Sequence, residues 1–180
     1  MIITITGGSS SGKSAMAESA AMKLEPGKKL YIATMVRTSS MEDPIIARHK
    51  ELRKNKNFVT LECPYDLQDL EISDDDTVLV ECISNLLANE LYDPVREELN
   101  SLPSERVILS IEALSKKCKN LICVTNEVFS DGITYDDKVM TYIEEFGKIN
   151  RYLMRISDIY AESVYGIPYY YTTSKHEAFF

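Results

Sequence analysis

Gly7-Gly8-Ser9-Ser10-Ser11-Gly12-Lys13-Ser14 fits the pattern G-x-x-x-x-G-K-[ST] without a mismatch. Each residue type has a chemical reason to be there. Glycine admits positive φ, so successive backbone N–H groups can turn toward one phosphate. A helix beginning near Lys13 adds the positive end of its dipole. Lys13 supplies a cation for the terminal phosphates, and the Ser14 hydroxyl is placed to ligate Mg²⁺. The bland alternative is a Ser/Gly-rich turn that only links two elements. A phosphate loop also calls for an acidic residue at the end of a neighbouring strand, to hold the metal or its waters. Glu81, after the apolar run Val78-Leu79-Val80, is the candidate. Its alternative role is a sheet-end carboxylate facing solvent. These residues specify a nucleotide-binding enzyme or switch and leave the acceptor open.

His49 lies in Ala47-Arg48-His49-Lys50-Glu51-Leu52-Arg53. On a helix, Arg53 would share the face of His49, four residues away. An imidazole beside guanidinium groups can bind phosphate as a donor or attack it as a nucleophile, with Arg and Lys stabilising the developing charge. Residue types alone favour a third role, a solvated histidine on a charged helix face.

The elements that must position these residues follow from hydrophobic periodicity. Ile2 to Thr6 reads as a buried strand and Lys13 to Leu24 as a helix, with Pro26 and Gly27 as punctuation. Leu30 to Thr34 reads as a strand, Glu42 to Lys56 as a helix and Phe58 to Leu61 as a short strand. Thr77 to Ile83 is the clearest buried strand. Helices over Asn85 to about Asn100 and Ser104 to Lys117 follow, then a strand over Leu121 to Thr125. The longest helical pattern runs from Tyr135 to about Ser163, and Tyr165 to Thr172 closes as a strand. Continuous apolar strands alternating with helices imply an α/β protein with a mostly parallel sheet covered on both faces. A chain of 180 residues is expected to form a single domain.

Twenty Lys and Arg against 28 Asp and Glu leave a formal charge of −8. That excludes a generic nucleic-acid binder, which needs a net basic face. An anionic ligand must then be held by a local cluster of donors. No apolar run approaches the roughly 20 residues of a membrane span, and the amino terminus lacks the basic region of a signal peptide. Cys63, Cys82, Cys118 and Cys123 form no CxxC pair, which argues against a zinc site or a disulfide framework and for a reduced, cytoplasmic setting.

Several segments in order resemble the bifunctional adenosylcobinamide kinase / adenosylcobinamide-phosphate guanylyltransferase family of cobalamin biosynthesis. They are TGGSSSGKS at Thr6 to Ser14, YIAT at Tyr31 to Thr34, IxxHxxxR at Ile46 to Arg53 and FVTLECP at Phe58 to Pro64. VLVECI at Val78 to Ile83, Asn89, VTNEV at Val124 to Val128, Asn150 and YGIP at Tyr165 to Pro168 complete the set. The first is shared by many NTPases; the ordered set is specific.

The resemblance implies a RecA-like P-loop NTPase fold and two reactions. An NTP, ATP or GTP, phosphorylates the aminopropanol arm of adenosylcobinamide. GTP then transfers GMP to that phosphate through a guanylylated histidine, whose position His49 occupies. Lys50, Arg53, Thr34, Glu62 and Glu81 join the phosphate loop as nucleotide-binding residues, with Mg²⁺ at Ser14 and Glu81. The partners are the corrinoid and the nucleotides, and the family implies a homo-oligomer, often a trimer. The chain departs from the family's pattern at Ser10 and Ile45, where Arg is usual, and at Phe58, commonly Trp. Each lost phosphate contact would cost about 1.5–3 kcal/mol unless another cation substitutes. Two other readings are a small-molecule kinase lacking the guanylyl step and a non-catalytic GTP-binding regulatory module.

Other features have plainer expectations. The tyrosines at 165 and 169–171 suit strand packing or a subunit contact better than stacking on a ligand. Asp74-Asp75-Asp76 suits a solvated turn better than a metal site. Asn126 and Glu127 fall at the carboxyl edge of the sheet, where such folds bind ligands.

Overall fold

A computed structural model describes residues 1–24, 27–36 and 56–171. Seven strands form one sheet in the order β3-β2-β4-β5-β1-β6-β7. They are β1 (Ile2–Thr6), β2 (Lys29–Ala33), β3 (Phe58–Glu62), β4 (Thr77–Glu81), β5 (Asn120–Val124), β6 (Ile159–Val164) and β7 (Ile167–Tyr170). Every pairing is parallel except β6 with β7. The helices are α1 (Lys13–Lys23), α2 (Ile83–Tyr92), α3 (Pro94–Glu97), α4 (Pro103–Lys117) and α5 (Asp137–Ile156).

The apolar runs of β1, β4 and β5 are buried on both faces because each face carries helices. One core packs Ala17, Ala20 and Ala21 of α1 against Ile3, Ile5, Leu79 and Ile122. Small side chains let α1 approach the sheet closely. The other face joins Leu86 and Leu87 of α2, Ile111 and Leu114 of α4, and Phe146, Ile149 and Leu153 of α5 over Val78, Val80 and Leu121.

Two expected helices are shorter than their sequence patterns. The pattern from Asn85 to Asn100 is divided at Asp93-Pro94. The Asp93 carboxylate accepts from the Val95 amide at 2.9 Å, and Pro94 starts the short α3. The pattern from Tyr135 to Ser163 ends at Ile156, and its last residues form β6 instead. The Ser157 hydroxyl donates to the Leu153 carbonyl at 2.7 Å and pairs with the Thr4 hydroxyl at 2.8 Å. The Asp158 carboxylate accepts from the Ile2 amide at 2.7 Å. Both side chains thus stop the helix and dock β6 beside β1. The closing strand is correspondingly shorter, Ile167–Tyr170, after a turn at Tyr165-Gly166. Most of the helix expected over Glu42 to Lys56 lies outside the described residues; Lys56 is in a turn.

Asp74 and Asp75 are exposed, whereas Asp76 is buried. Its carboxylate accepts from the amides of Ser73 at 3.0 Å and Lys28 at 3.2 Å, which corrects the expectation of a wholly solvated turn.

Candidate functional site

β1 ends at Thr6, and the chain then loops through residues 7–12 before α1 begins at Lys13. The strand is buried, so the loop is held at a fixed height on the carboxyl edge of the sheet. Gly12 caps α1 with φ 93°, and a Cβ there would lie 3.1 Å from the Gly166 Cα. Glycine is required by both the left-handed backbone and the close approach. The loop is tied on both sides. On one, the Glu127 amide donates to the Gly7 carbonyl at 3.1 Å. On the other, the Ser11 carbonyl accepts from the Gly166 amide at 2.7 Å and from the Ser163 hydroxyl at 2.8 Å. Ser9, Ser10 and Gly12 remain exposed, with Gly8, Lys13 and Ser14 half-buried.

Lys13 Nζ donates to the Gly8 carbonyl at 2.9 Å across the loop. Burial lowers its pKa from the ordinary 10.5, while the nearby Cys82 and Glu81 pull it back up. The Ser14 hydroxyl donates to Glu81 Oε1, and the Tyr31 hydroxyl donates to Glu81 Oε2 at 3.0 Å. Glu81 is therefore turned onto the helix that follows the phosphate loop, meeting a residue 67 positions away in sequence, instead of outward into solvent. A hydroxyl and a carboxylate in contact at a helix start form an oxygen pair of the kind a hard cation takes. No cluster of three or more His, Cys, Asp or Glu suited to a metal exists among the described residues.

Ala33 of β2 pairs with Glu62 of β3 on one side and Glu81 of β4 on the other. Equal register puts both carboxylates on the face that carries α1, about 10 Å apart at two strand spacings. Thr34 follows at the same edge. It is fully buried, and its hydroxyl donates to the Cys82 carbonyl at 2.8 Å. Asn89 of α2 donates to the Thr34 carbonyl at 2.7 Å and to the Pro64 carbonyl at 2.9 Å, fixing the ends of β2 and β3 together.

The matching family model, cobinamide kinase / cobinamide phosphate guanyltransferase, spans residues 3–170. The chain belongs to this family. It is 31% identical over 176 residues to the bifunctional adenosylcobalamin biosynthesis protein CobU of Salmonella typhimurium, covering 88% of this chain and 92% of that one. It is 29% identical over 168 residues to the Escherichia coli protein of the same name, covering 85% and 90%. The fold is also similar to that of an ATPase from the type III secretion system of pathogenic bacteria. There the TM-score is 0.51 with 10% identity over 89% of this chain and 50% of that one. The fold is that of a P-loop NTPase.

Of the residues the cobinamide kinase / guanyltransferase pattern points to, the structure brings Gly7 to Ser14, Thr34, Glu62 and Glu81 to one sheet edge. His49, Lys50 and Arg53 lie outside the described residues, as does Ile45. Asn126 donates to the Ser84 hydroxyl at 2.6 Å. The Glu127 carboxylate accepts from the Phe129 amide at 2.8 Å and the Ser130 hydroxyl at 2.7 Å. Both side chains thus organise the loop after β5. Sequence reasoning missed Tyr31 as the second donor to Glu81, and Ser163 and Gly166 as supports of the phosphate loop. Tyr31 lay in a segment already singled out, whereas Ser163 was assigned to a helix. No helix among the described residues is long and apolar enough to cross a membrane.

Proposed function

We propose that the protein phosphorylates adenosylcobinamide and then converts the phosphate to adenosylcobinamide-GDP. The observation that carries this reading is the family match over residues 3–170, which includes both the phosphate loop and His49. In the first step the loop amides and Lys13 hold the NTP, and the aminopropanol hydroxyl oxygen attacks the γ-phosphorus. The bond to the leaving β–γ bridging oxygen breaks, NDP departs and the hydroxyl proton is lost. Positioning and charge neutralisation supply most of the acceleration in such a transfer. Ser14 and Glu81 would hold Mg²⁺, which supplies positive charge against the phosphates. Tyr31 keeps the Glu81 carboxylate turned toward Ser14.

In the second step a neutral His49 nitrogen attacks the α-phosphorus of GTP and pyrophosphate leaves. The acceptor phosphate oxygen then attacks the same phosphorus, the N–P bond breaks and the imidazole is regenerated. Two displacements through His49 avoid bringing two polyanions together at once, with Lys50 and Arg53 as the cations beside it. Thr34 and Glu62 complete the nucleotide edge. Family resemblance supports a cytoplasmic homo-oligomer acting as a single-domain subunit.

Incubation with adenosylcobinamide, NTP and Mg²⁺, followed by GTP, tests the proposal by mass spectrometry. Sequential gain of a phosphate and a GMP is expected. Phosphate gain alone would establish the kinase without the guanylyl step, and GTP binding with neither product would establish a regulatory module.

A further inference from the structure

The turn between β6 and β7 is fastened to the phosphate loop and carries an aromatic ring into solvent. Ser163 and Gly166 both donate to the Ser11 carbonyl, and Gly166 packs on Gly12. Tyr165 lies between them, 95% exposed, with a left-handed φ of 51°. Tyr165 and Gly166 form the two-residue loop between the paired Val164 and Ile167, and such a turn takes positive φ at both positions, here 51° and 80°. An isolated exposed apolar residue needs no explanation by itself. One held rigidly against a phosphate loop has a different significance. The remaining tyrosines of the hairpin have partners: Tyr171 donates to Glu162 at 2.6 Å and makes edge contacts with Tyr160 and Tyr169. Tyr170 packs at the edge of the α1 core.

The direction of a bound nucleotide follows from the sheet order. β5 and then β4 lie on one side of β1, and β6 lies on the other. Ser14 and Glu81, on the β4 side, mark the terminal phosphates and their cation. The nucleoside end therefore extends toward β6 and its turn. From this we infer that Tyr165 is the stacking platform for the nucleobase bound at the phosphate loop. The inference rests on the phosphate loop holding an NTP, as proposed above. Stacking tolerates any base because every base has a π-face, so one platform serves both ATP and GTP.

Equilibrium binding in Mg²⁺ of GTP, ATP and inorganic tripolyphosphate, to wild type, Tyr165→Ala and Tyr165→Phe, tests the inference. For Tyr165→Ala, GTP and ATP affinity is expected to fall alike, by about 5- to 150-fold. Tripolyphosphate affinity is expected to stay unchanged, and Tyr165→Phe to bind as wild type. Unchanged GTP affinity in Tyr165→Ala overturns the platform. Equal losses for GTP and tripolyphosphate also overturn it, and assign the turn to shaping the loop. A change in oligomeric mass on gel filtration accompanying the loss would reassign Tyr165 to a subunit contact. A wild type that binds neither GTP nor tripolyphosphate would remove the phosphate-loop reading itself, and the platform with it.

Discussion

Lys13 shows how burial can set a residue's cost to the fold against the charge that the proposed function asks of it. Burial is the largest influence on its ammonium and lowers its pKa below 10.5, the ordinary value. Between the lowered value and 10.5 the unfolded chain binds more protons than the folded one, so this group's contribution to stability rises with pH. Phosphate binding has the opposite sign, because deprotonation removes the cation. Melting curves of wild type and Lys13→Met between pH 7 and 10.5 check both. Without nucleotide, Lys13→Met is expected to be the more stable near neutrality, with the difference shrinking as pH rises. Stabilisation of wild type by GTP is expected to weaken over the same window. A difference independent of pH would contradict the desolvation of Lys13. The placement of Lys13 at the start of α1 was readable in the sequence because the motif fixes residue types and spacing. The same holds for Glu81, whose place followed from its position at the end of an apolar run. Its second partner, Tyr31, was not readable, since that contact depends on β2 lying beside β4.

α2, α3 and α4 meet in a largely buried ionic cluster. Glu90 is almost fully buried, and Arg106 Nε donates to its carboxylate at 2.7 Å. Arg96 lies 3.7 Å from the same carboxylate and hydrogen-bonds Asp66, which holds the Asp66 carboxyl below its ordinary range. Among the described residues, removing Arg106 leaves the Glu90 carboxylate with only the more distant Arg96. Arg106→Ala is therefore expected to cost about 3–5 kcal/mol in urea unfolding, whereas the double variant with Glu90→Gln recovers part of the loss. Equal losses in the single and double variants would show that packing of the arginine stem dominates. Boundaries set by local chemistry were legible: the apolar run of β1 ends where Gly7 and Gly8 begin. The end of α5 was not, because Ile159-Tyr160-Ala161 also fits a helical pattern. The deciding contacts of Ser157 and Asp158 are to Thr4 and Ile2, the latter 156 residues away. A helical period therefore continued through residues that tertiary pairing makes into a strand.

For the whole molecule, a net charge of −8 makes cation placement decisive. Lys13 opens α1 beyond the loop that follows β1, while the Ser14 hydroxyl links α1 to Glu81 of β4. A nucleotide bound there contacts the folded chain alone, so it stabilises the entire cooperative unit. At a hundred times its dissociation constant, GTP is expected to add about 2.7 kcal/mol, read as a higher melting temperature. Lys13→Met at the same GTP concentration is expected to show little of that gain, and an undiminished gain would place the nucleotide elsewhere. The fold class was legible from strand–helix alternation, and the family from ordered segments along nearly the whole chain. The hairpin's attachment to the phosphate loop was not, because it joins Ser11 to residues 152 and more positions later.

In the proposed reaction, His49 carries GMP between GTP and the corrinoid phosphate. The most direct test of this step is incubation of wild type and His49→Ala with Mg²⁺ and GTP labelled on the α-phosphate. Acid-labile, base-stable label is expected on wild type, absent from His49→Ala and released by adenosylcobinamide phosphate. Nucleotide binding by wild type with no retained label would contradict the claim and leave a kinase without the guanylyl step.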